Sequence, residues 1–164
     1  MSRFAVCLVS VLLLAGSVKA THAEEPYKTW WKFMQGEWTY KVSPMNDTGT
    51  AIWRITAKGH ALVGRFKGDN GETAIELAGW KADSKTEVAT GFGSEGNYWT
   101  IVVTKHSVDA FEADNTGMLP DGTKYNGKFV GHKVDENHYE WEFKGKTAMG
   151  EDLTMTGKYT RKAN

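Results

Sequence analysis

The feature that most constrains this fold is a strict alternation of apolar and polar side chains with a period of two residues. Over residues 138–144, Tyr139, Trp141 and Phe143 fall on one side of an extended chain, and polar or charged residues fall on the other. Alternation of this kind predicts a β-strand with one buried face. From Gly36 onward the sequence consists of short runs of this type, separated by Gly, Asn, Asp and Pro. The pattern therefore indicates an all-β sandwich or barrel.

About ten such runs are predicted, and the connections between them are too short for helical crossovers. Neighbouring strands are therefore expected to pair antiparallel as a meander. Closing the sheet removes its two edges and buries its apolar face, so we expect an all-β, up-and-down barrel. A two-sheet β-sandwich is the alternative. The alternation is seen at residues 38–42 in the first predicted strand and at 53–56 in the second. The other strands are predicted over residues 61–67, 73–80, 86–92, 97–104, 107–114, 123–132, 138–144 and 153–159.

A short helix is predicted before the first strand. Pro26 suits the first turn of a helix. Trp30, Trp31, Phe33 and Met34 follow with a spacing that places them on one face. The helix is therefore expected to bury this face against the sheet.

The first 23 residues have the pattern of a secretory signal peptide. Arg3 precedes an apolar run over residues 4–15, and Ala20 and Ala23 provide two cleavage positions. The apolar run is shorter than the roughly 20 residues that a membrane-spanning helix needs, so we expect cleavage and no membrane anchor in the mature form. The protein is therefore expected to be exported, either periplasmic or secreted.

The mature protein would comprise a leader with the short helix (residues 24–36) and a barrel domain (residues 37–164). The only cysteine, Cys7, would be removed with residues 1–23. The remaining 141 residues carry 18 basic and 20 acidic side chains. A chain of this length buries enough surface to fold without disulfides. The slightly negative net charge argues against a nucleic-acid partner.

Residues Gly36-Glu37-Trp38, which open the first predicted strand, resemble the Gly-Xaa-Trp signature of the calycin superfamily, the lipocalin and fatty-acid-binding-protein group. The resemblance implies that Trp38 packs across the closed end of a barrel against an arginine on the last strand. Arg161 lies in the last strand, in phase with its apolar residues, so Trp38 and Arg161 are expected to form a structural plug. Residues 28–162 are also similar to an uncharacterised family of exported bacterial lipocalin-like domains.

The chain departs from these families in several respects. It lacks the lipocalin Thr-Asp-Tyr motif, the usual disulfide and a C-terminal helix. Only Ser43 to Thr48 separate the first two predicted strands, which leaves no room for the helical lid of the fatty-acid-binding proteins. Any pocket is therefore expected to be covered by hairpin loops or to be open.

Many of the side chains that are predicted to point into the barrel are aromatic, and several of them have polar tips. Such side chains commonly line a pocket that orients a ligand. Gly79, Gly127 and Gly157 are also expected in inward phase, and the space that they leave favours a cavity over a filled core. The predicted ligand-binding residues are Tyr40, Trp53, Trp99, Phe129, Tyr139, Trp141 and Met155.

Histidines suggest haem or a metal as a minor alternative, because some lipocalin-like barrels hold haem through one histidine. His60, His106, His132 and His138 do not have the spacing of a metal site. We therefore expect no cofactor and no metal, and we expect these histidines to be exposed to solvent.

The carboxylates show no pairing with a nucleophile, and no catalytic residue is predicted. Glu140 and Glu142 are expected on a solvated strand face. Only for Glu76 and Glu112 does the alternation leave open whether the side chain points into the barrel or outward. The sequence therefore predicts an exported module that binds a small apolar or amphipathic molecule inside the barrel. A structural or protein-interaction domain with a filled core, and an enzyme with its site at the barrel mouth, are the alternatives. Neither the ligand nor the oligomeric state follows from the sequence.

Overall fold

A computed structural model describes residues 26–163 of the protein. The predicted signal peptide with its cleavage positions, Cys7 and residues 24–25 lie outside the described residues. The described chain has one α-helix, α1 (Pro26–Met34), a 3₁₀ turn at Ala57–Gly59 and ten β-strands. The strands are β1 (Gly36–Ser43), β2 (Asp47–Thr56), β3 (Ala61–Gly68), β4 (Thr73–Lys81), β5 (Thr86–Gly93), β6 (Tyr98–His106), β7 (Ala110–Met118), β8 (Lys124–Asp135), β9 (His138–Thr147) and β10 (Asp152–Arg161).

The ten strands form one closed antiparallel barrel in which each strand pairs with its neighbours in sequence. β1 closes the sheet by pairing with β10, where Trp38 lies opposite Arg161 and Tyr40 lies opposite Tyr159. The predicted up-and-down barrel with a short N-terminal helix is therefore confirmed, and the two-sheet sandwich is not formed. Closure pairs both strands that would otherwise be sheet edges.

Four hairpins at one end of the barrel share the same tight turn. In each, a glycine N–H donates to the carbonyl oxygen three residues earlier, at 2.9 to 3.1 Å. The φ angle of each glycine lies between +84° and +92°, in the left-handed region that favours glycine. These glycines are Gly71, Gly96, Gly122 and Gly150. The four hairpins and the β1–β2 turn surround the end of the barrel that we call the mouth.

Helix α1 covers the opposite end, which we call the floor. Trp30 contacts Phe111 and Tyr139 edge to face, with ring centroids 5.2 and 5.3 Å away. Helical spacing places the apolar residues on the face toward the barrel. The buried residues of α1 are Tyr27, Trp30, Trp31, Phe33 and Met34. No helix within residues 26–163 is long and apolar enough to cross a membrane.

Arg161 ties the helix to the barrel at the floor. Its guanidinium carbon lies 4.2 Å from the centre of the Trp38 ring, and Trp38 is fully buried. The guanidinium donates to the carbonyl oxygens of Phe33 and of Gln35, the second at 2.7 Å. It also donates to the carbonyl oxygen of Glu136 at 3.2 Å. Carbonyls at the end of a helix have no partner within it, so Arg161 satisfies groups that need one.

One predicted strand begins too early. The sequence placed a strand over residues 107–114, whereas β7 begins at Ala110 and continues to Met118. The backbone N–H of Ser107 donates to the carbonyl oxygen of Ala110 at 2.8 Å, and the Ser107 hydroxyl also bonds Ala110. A serine side chain that bonds nearby backbone groups favours a turn over a strand, so residues 107–109 form the β6–β7 connection.

Replacing Arg161 with alanine is expected to destabilise the fold by about 2 kcal/mol or more, because the change removes charge-assisted hydrogen bonds and a cation–π contact. Lys162→Ala is the matched control, since Lys162 is exposed. It should change the free energy of unfolding by about 0.5 kcal/mol or less. Chemical denaturation followed by tryptophan fluorescence measures both. Equal midpoints for the two variants would contradict the role of Arg161 at the floor.

Candidate binding cavity

The barrel contains a cavity with a volume of about 560 Å³ that extends from the mouth to the floor. At the mouth it is bordered by hairpin residues that include Asp69 and Asn97, and at the floor it reaches Trp30 and Glu87. Sites for small molecules in proteins have volumes of about 300–1,000 Å³. The interior is therefore open enough to hold a small molecule.

One wall of the cavity is formed by small side chains. The inner face of β4 and β5 carries Ala74, Ala78 and Ala89, all of which line the cavity. The facing wall on β8 to β10 carries aromatic side chains such as Phe129 and Tyr159. The alanines leave volume that aromatic rings fill elsewhere in the barrel.

The three glycines that the sequence placed in inward phase do not create this space. At Gly157 a Cβ atom would lie 2.1 Å from Trp141 Nε1, so the Trp141 ring already fills the position. At Gly127 a Cβ would lie 2.3 Å from the backbone oxygen of Lys144. Gly79 lies on the outer face, because the inner face of β4 carries Ala78. The predicted cavity is present, but the glycines from which it was predicted do not form it.

All seven predicted ligand-binding residues line the cavity. They are Tyr40, Trp53, Trp99, Phe129, Tyr139, Trp141 and Met155. Trp38 and Arg161 instead lie at the floor, where they hold α1 against the barrel. That the seven residues contact a ligand stays a prediction.

The wall of small residues carries a carboxylate between two tryptophans. Five residues stand side by side on five neighbouring strands, in the order Trp53, Gly64, Glu76, Gly91 and Trp99. A Cβ atom at Gly64 would lie 2.6 Å from the Trp53 ring, and one at Gly91 would lie 2.1 Å from the Trp99 ring. The two indoles therefore lean over the glycines toward Glu76. Neither glycine position has room for a side chain.

Glu76 is half-buried and lines the cavity. Trp99 donates its indole N–H to Oε2 of this carboxylate. Burial raises the pKa of Glu76 to about 7. The hydrogen bond from Trp99 acts in the opposite direction, and the negative charge of Glu87 adds to the increase. Glu76 therefore changes its charge near neutral pH.

A second inward carboxylate, Glu87, connects the barrel to α1 at the floor. Its Oε1 accepts a hydrogen bond from the Trp31 indole at 2.6 Å, and its Oε2 lies 3.1 Å from His106 Nε2. His106 Nδ1 lies 2.9 Å from the carbonyl oxygen of Ser107. A carbonyl oxygen can only accept, so Nδ1 carries a proton. Glu87 and His106 together anchor the helix that closes the barrel.

The expectation that His106 is exposed was wrong. Only 12% of its side chain is accessible, because it packs between Glu87 and the Trp30 ring. The sequence placed His106 at a strand end, where exposure is common, and could not show that a helix covers that end. The other three histidines within residues 26–163 are exposed, as expected: His60, His132 and His138.

The mouth carries a group of three carboxylates near Tyr40: Asp47, Asp69 and Glu72. Burial raises the pKa of Asp47, and the negative charges of Glu72 and Asp69 raise it further. Burial and the same carboxylates raise the pKa of Tyr40 to about 12. These three carboxylates therefore place negative charge at this side of the mouth.

Sequence reasoning left the phase of Glu76 open and did not consider Glu87. On β4 the apolar residues Ile75 and Leu77 have the spacing of a buried face, yet they are 44% and 55% exposed. The register of the β3–β4 hairpin, set by its turn, could have resolved the phase, because it places Glu76 opposite Gly64. Glu112, the other carboxylate of arguable phase, lies on the outside.

The cavity wall includes two polar atoms that have no hydrogen-bond partner among the described residues. They are Trp53 Nε1 and Asn115 Oδ1, both in side chains that are at least nine-tenths buried. Buried polar atoms normally have a partner in the protein or in bound water. Within residues 26–163, no group of three or more His, Cys, Asp or Glu side chains is placed to hold a metal ion.

No protein-family model and no curated protein sequence matches this chain. Among solved structures, a redesigned β-barrel is similar at 15% identity, with 81% of this chain and 95% of that chain covered and a TM-score of 0.38. The structure of EF1p2_mFAP2b bound to DFHBI is similar at 15% identity, with 82% and 98% covered and a TM-score of 0.38. Similarity at this level does not bear on the function of the chain.

Glu76→Gln is expected to change how stability depends on pH. The pKa of Glu76 rises from its ordinary value of 4.5 to about 7 on folding, so the folded protein holds this proton more tightly than the unfolded chain. The protonated group therefore contributes stability that is fully present below about pH 4 and is lost as the pH rises through about 7. Relative to the wild type, the variant should gain up to about 1.4 kcal/mol per pH unit over that interval.

Urea denaturation at about pH 5, 6, 7 and 8 measures this difference. Glu112→Gln is the matched control, because it removes the same charge from an exposed position. Its stability relative to the wild type should vary little over the same interval. A Glu76→Gln curve parallel to that of the control would contradict the raised pKa.

Gly91→Ala tests the packing of Trp99 over the glycine. The new methyl group would lie 2.1 Å from the indole, so the ring must move away from Glu76. We expect a loss of about 1–3 kcal/mol in the free energy of unfolding and a changed tryptophan near-UV circular dichroism spectrum. Gly79→Ala is the control, because the nearest atom to its Cβ is the His60 carbonyl oxygen at 4.0 Å. Equal losses in the two variants would show that crowding against Trp99 is not the cause.

Proposed function

We propose that this protein is an exported binding module that holds a small apolar or amphipathic molecule inside its barrel. The observation that carries the proposal is the cavity of about 560 Å³, which reaches the mouth and is lined by many aromatic side chains. Concave sites with predominantly apolar linings and a few polar groups are typical of small-molecule binding in proteins.

The lining suits a molecule with both apolar and polar parts. Deep in the barrel the cavity is bordered by Ile101, Phe129 and Met155. Polar groups border the cavity at the mouth, as at Asn46, and at a few positions along its walls, such as Glu76 and Asn115. A ligand can therefore bury an apolar body in the interior and keep a polar group next to a polar side chain.

The walls of the cavity support binding because they are formed before a ligand arrives. They consist of strands that pair continuously around the closed barrel. Binding then does not have to order a flexible segment, and less of the interaction energy is lost as conformational entropy.

Export and a relationship to the calycins are parts of the same proposal. Export rests on the signal-peptide pattern of residues 1–23. The relationship rests on the Gly36-Glu37-Trp38 motif and on the contact of Arg161 with Trp38, which is the plug that the resemblance implies.

The two alternatives have less support. A structural or protein-interaction domain was expected to have a filled core, and the cavity weighs against that premise. An enzyme with its site at the mouth would have to use the carboxylates Asp47, Asp69 and Glu72. The pair formed by Glu87 and His106 lies at the floor instead, held by Trp31 and Ser107. Binding is the function that this geometry supports best.

Titration with N-phenyl-1-naphthylamine, a neutral apolar fluorophore, tests the proposal. Energy transfer and contact should quench tryptophan emission in a saturable way at micromolar concentrations. Ala78→Phe fills part of the cavity from the buried face of β4 and should weaken binding about tenfold or more, a loss of about 1.4 kcal/mol. Ala89→Phe repeats the test from β5, in case the first variant does not fold.

Leu77→Phe is the matched control. It adds a phenyl ring one residue away on the exposed face of the same strand, so affinity should stay within about twofold of the wild type. Equal weakening by Leu77→Phe and Ala78→Phe would indicate that the fluorophore binds the outer surface. The absence of any saturable change would contradict the proposed function itself.

A further inference from the structure

We propose that the molecule held in the cavity carries a positively charged nitrogen, and that this group sits beside Glu76 between the indoles of Trp53 and Trp99. The inference rests on the proposed function and specifies the chemical class of its ligand. The ligand class is therefore an organic cation, such as an amine or a quaternary ammonium compound with an apolar body.

The first observation is the arrangement of rings around the carboxylate. Glycines flank Glu76 on both neighbouring strands, and the indoles of Trp53 and Trp99 occupy the space over them. The two tryptophans therefore approach Glu76 on the inner face of the sheet, one from the side of β3 and the other from the side of β5. Because Gly64 and Gly91 have no side chains, nothing on β3 or β5 separates the indoles from the carboxylate in this row.

A third ring, Phe66, completes the aromatic surroundings. Its centroid lies 5.4 Å from that of Trp53 at 88°, and 6.3 Å from that of Trp99 at 78°. Three rings that meet at steep angles present faces and edges toward one region of space. Aromatic faces attract cations through their quadrupole, most strongly for tryptophan and in desolvated sites, and groups of such rings recognise ammonium ligands.

The second observation is the sign of the charges that line the cavity. Five carboxylates border it, and no Lys or Arg side chain of the described residues does. The carboxylates are Asp47, Asp69, Glu72, Glu76 and Glu87. The whole chain has equal numbers of basic and acidic residues, so this separation is specific to the cavity. Carboxylates within low-dielectric walls focus a negative potential that favours the entry of a cation.

The third observation is an unpaired acceptor on the same cavity. Asn115 is only 4% exposed, lines the cavity, and its Oδ1 has no partner among the described residues. An oxygen acceptor suits the N–H groups of a protonated amine. Asn115 Oδ1 and the carboxylate of Glu76 are two acceptors that the cavity offers to such a group, whereas the other unpaired atom of the wall, Trp53 Nε1, is a donor.

The charge of Glu76 itself favours a cationic ligand. The groups that bear on this carboxylate are Trp99 through its N–H and the charge of Glu87. Neither supplies a positive charge, so ionised Glu76 lacks a counterion within the described residues. A bound ammonium group would supply one. An anionic ligand would meet repulsion instead.

The experiment compares two molecules that differ only in this group, 2-(2-naphthyl)ethylamine and 2-(2-naphthyl)ethanol. Isothermal titration calorimetry at about pH 8 keeps the amine protonated and Glu76 largely ionised. We expect the amine to bind the wild-type protein at least about tenfold more tightly than the alcohol. Glu76→Gln keeps the shape of the side chain and removes its charge, so the ratio of the two affinities should fall to within about twofold of one.

Glu112→Gln, an exposed change of the same charge, should retain the preference of the wild type. The near-UV circular dichroism spectrum of the tryptophans verifies that Glu76→Gln is folded. Equal affinities of the wild type for amine and alcohol, or a preference that survives Glu76→Gln, would overturn the inference and leave the proposed function standing. The absence of binding by both compounds and by N-phenyl-1-naphthylamine would overturn the proposed function, and the inference with it.

Discussion

The pairing of β1 with β10 is the constraint on which the rest of the structure depends. It turns a meander into a closed barrel, so that every strand has one face in the interior and one toward solvent. Trp38 and Arg161 lie opposite each other on these two strands. Arg161 also binds the end of α1, so one short region of the molecule closes the sheet and fixes the helix over the floor.

Side chains of very different size share the interior of the closed barrel. Where a tryptophan faces a glycine on the next strand, as Trp141 faces Gly157, the indole uses the space of both residues. Where alanines are paired on neighbouring strands, as Ala78 is with Ala89, the volume over them remains open. The cavity is therefore a consequence of how large and small residues are distributed around the barrel.

The same distribution controls the electrostatics. Glu76 points into the space left by its small neighbours and is removed from bulk water, which raises its pKa. Glu87 is buried too, but hydrogen bonds to Trp31 and His106 make it part of the floor. Two carboxylates on adjacent strands therefore have different roles. One anchors the helix, and the other faces the cavity.

The sequence by itself determined the ten strands, their meander and the inward aromatic residues, because alternation along one strand and short connections are local properties. It also indicated the contact of Trp38 with Arg161. Only the tertiary structure decided that Glu76 faces inward, since Ile75 and Leu77 make the opposite face of β4 look like core. It alone decided that Trp31 meets Glu87 across 56 residues. Which groups share the interior depends on strand register and on closure, and these are properties of the whole barrel.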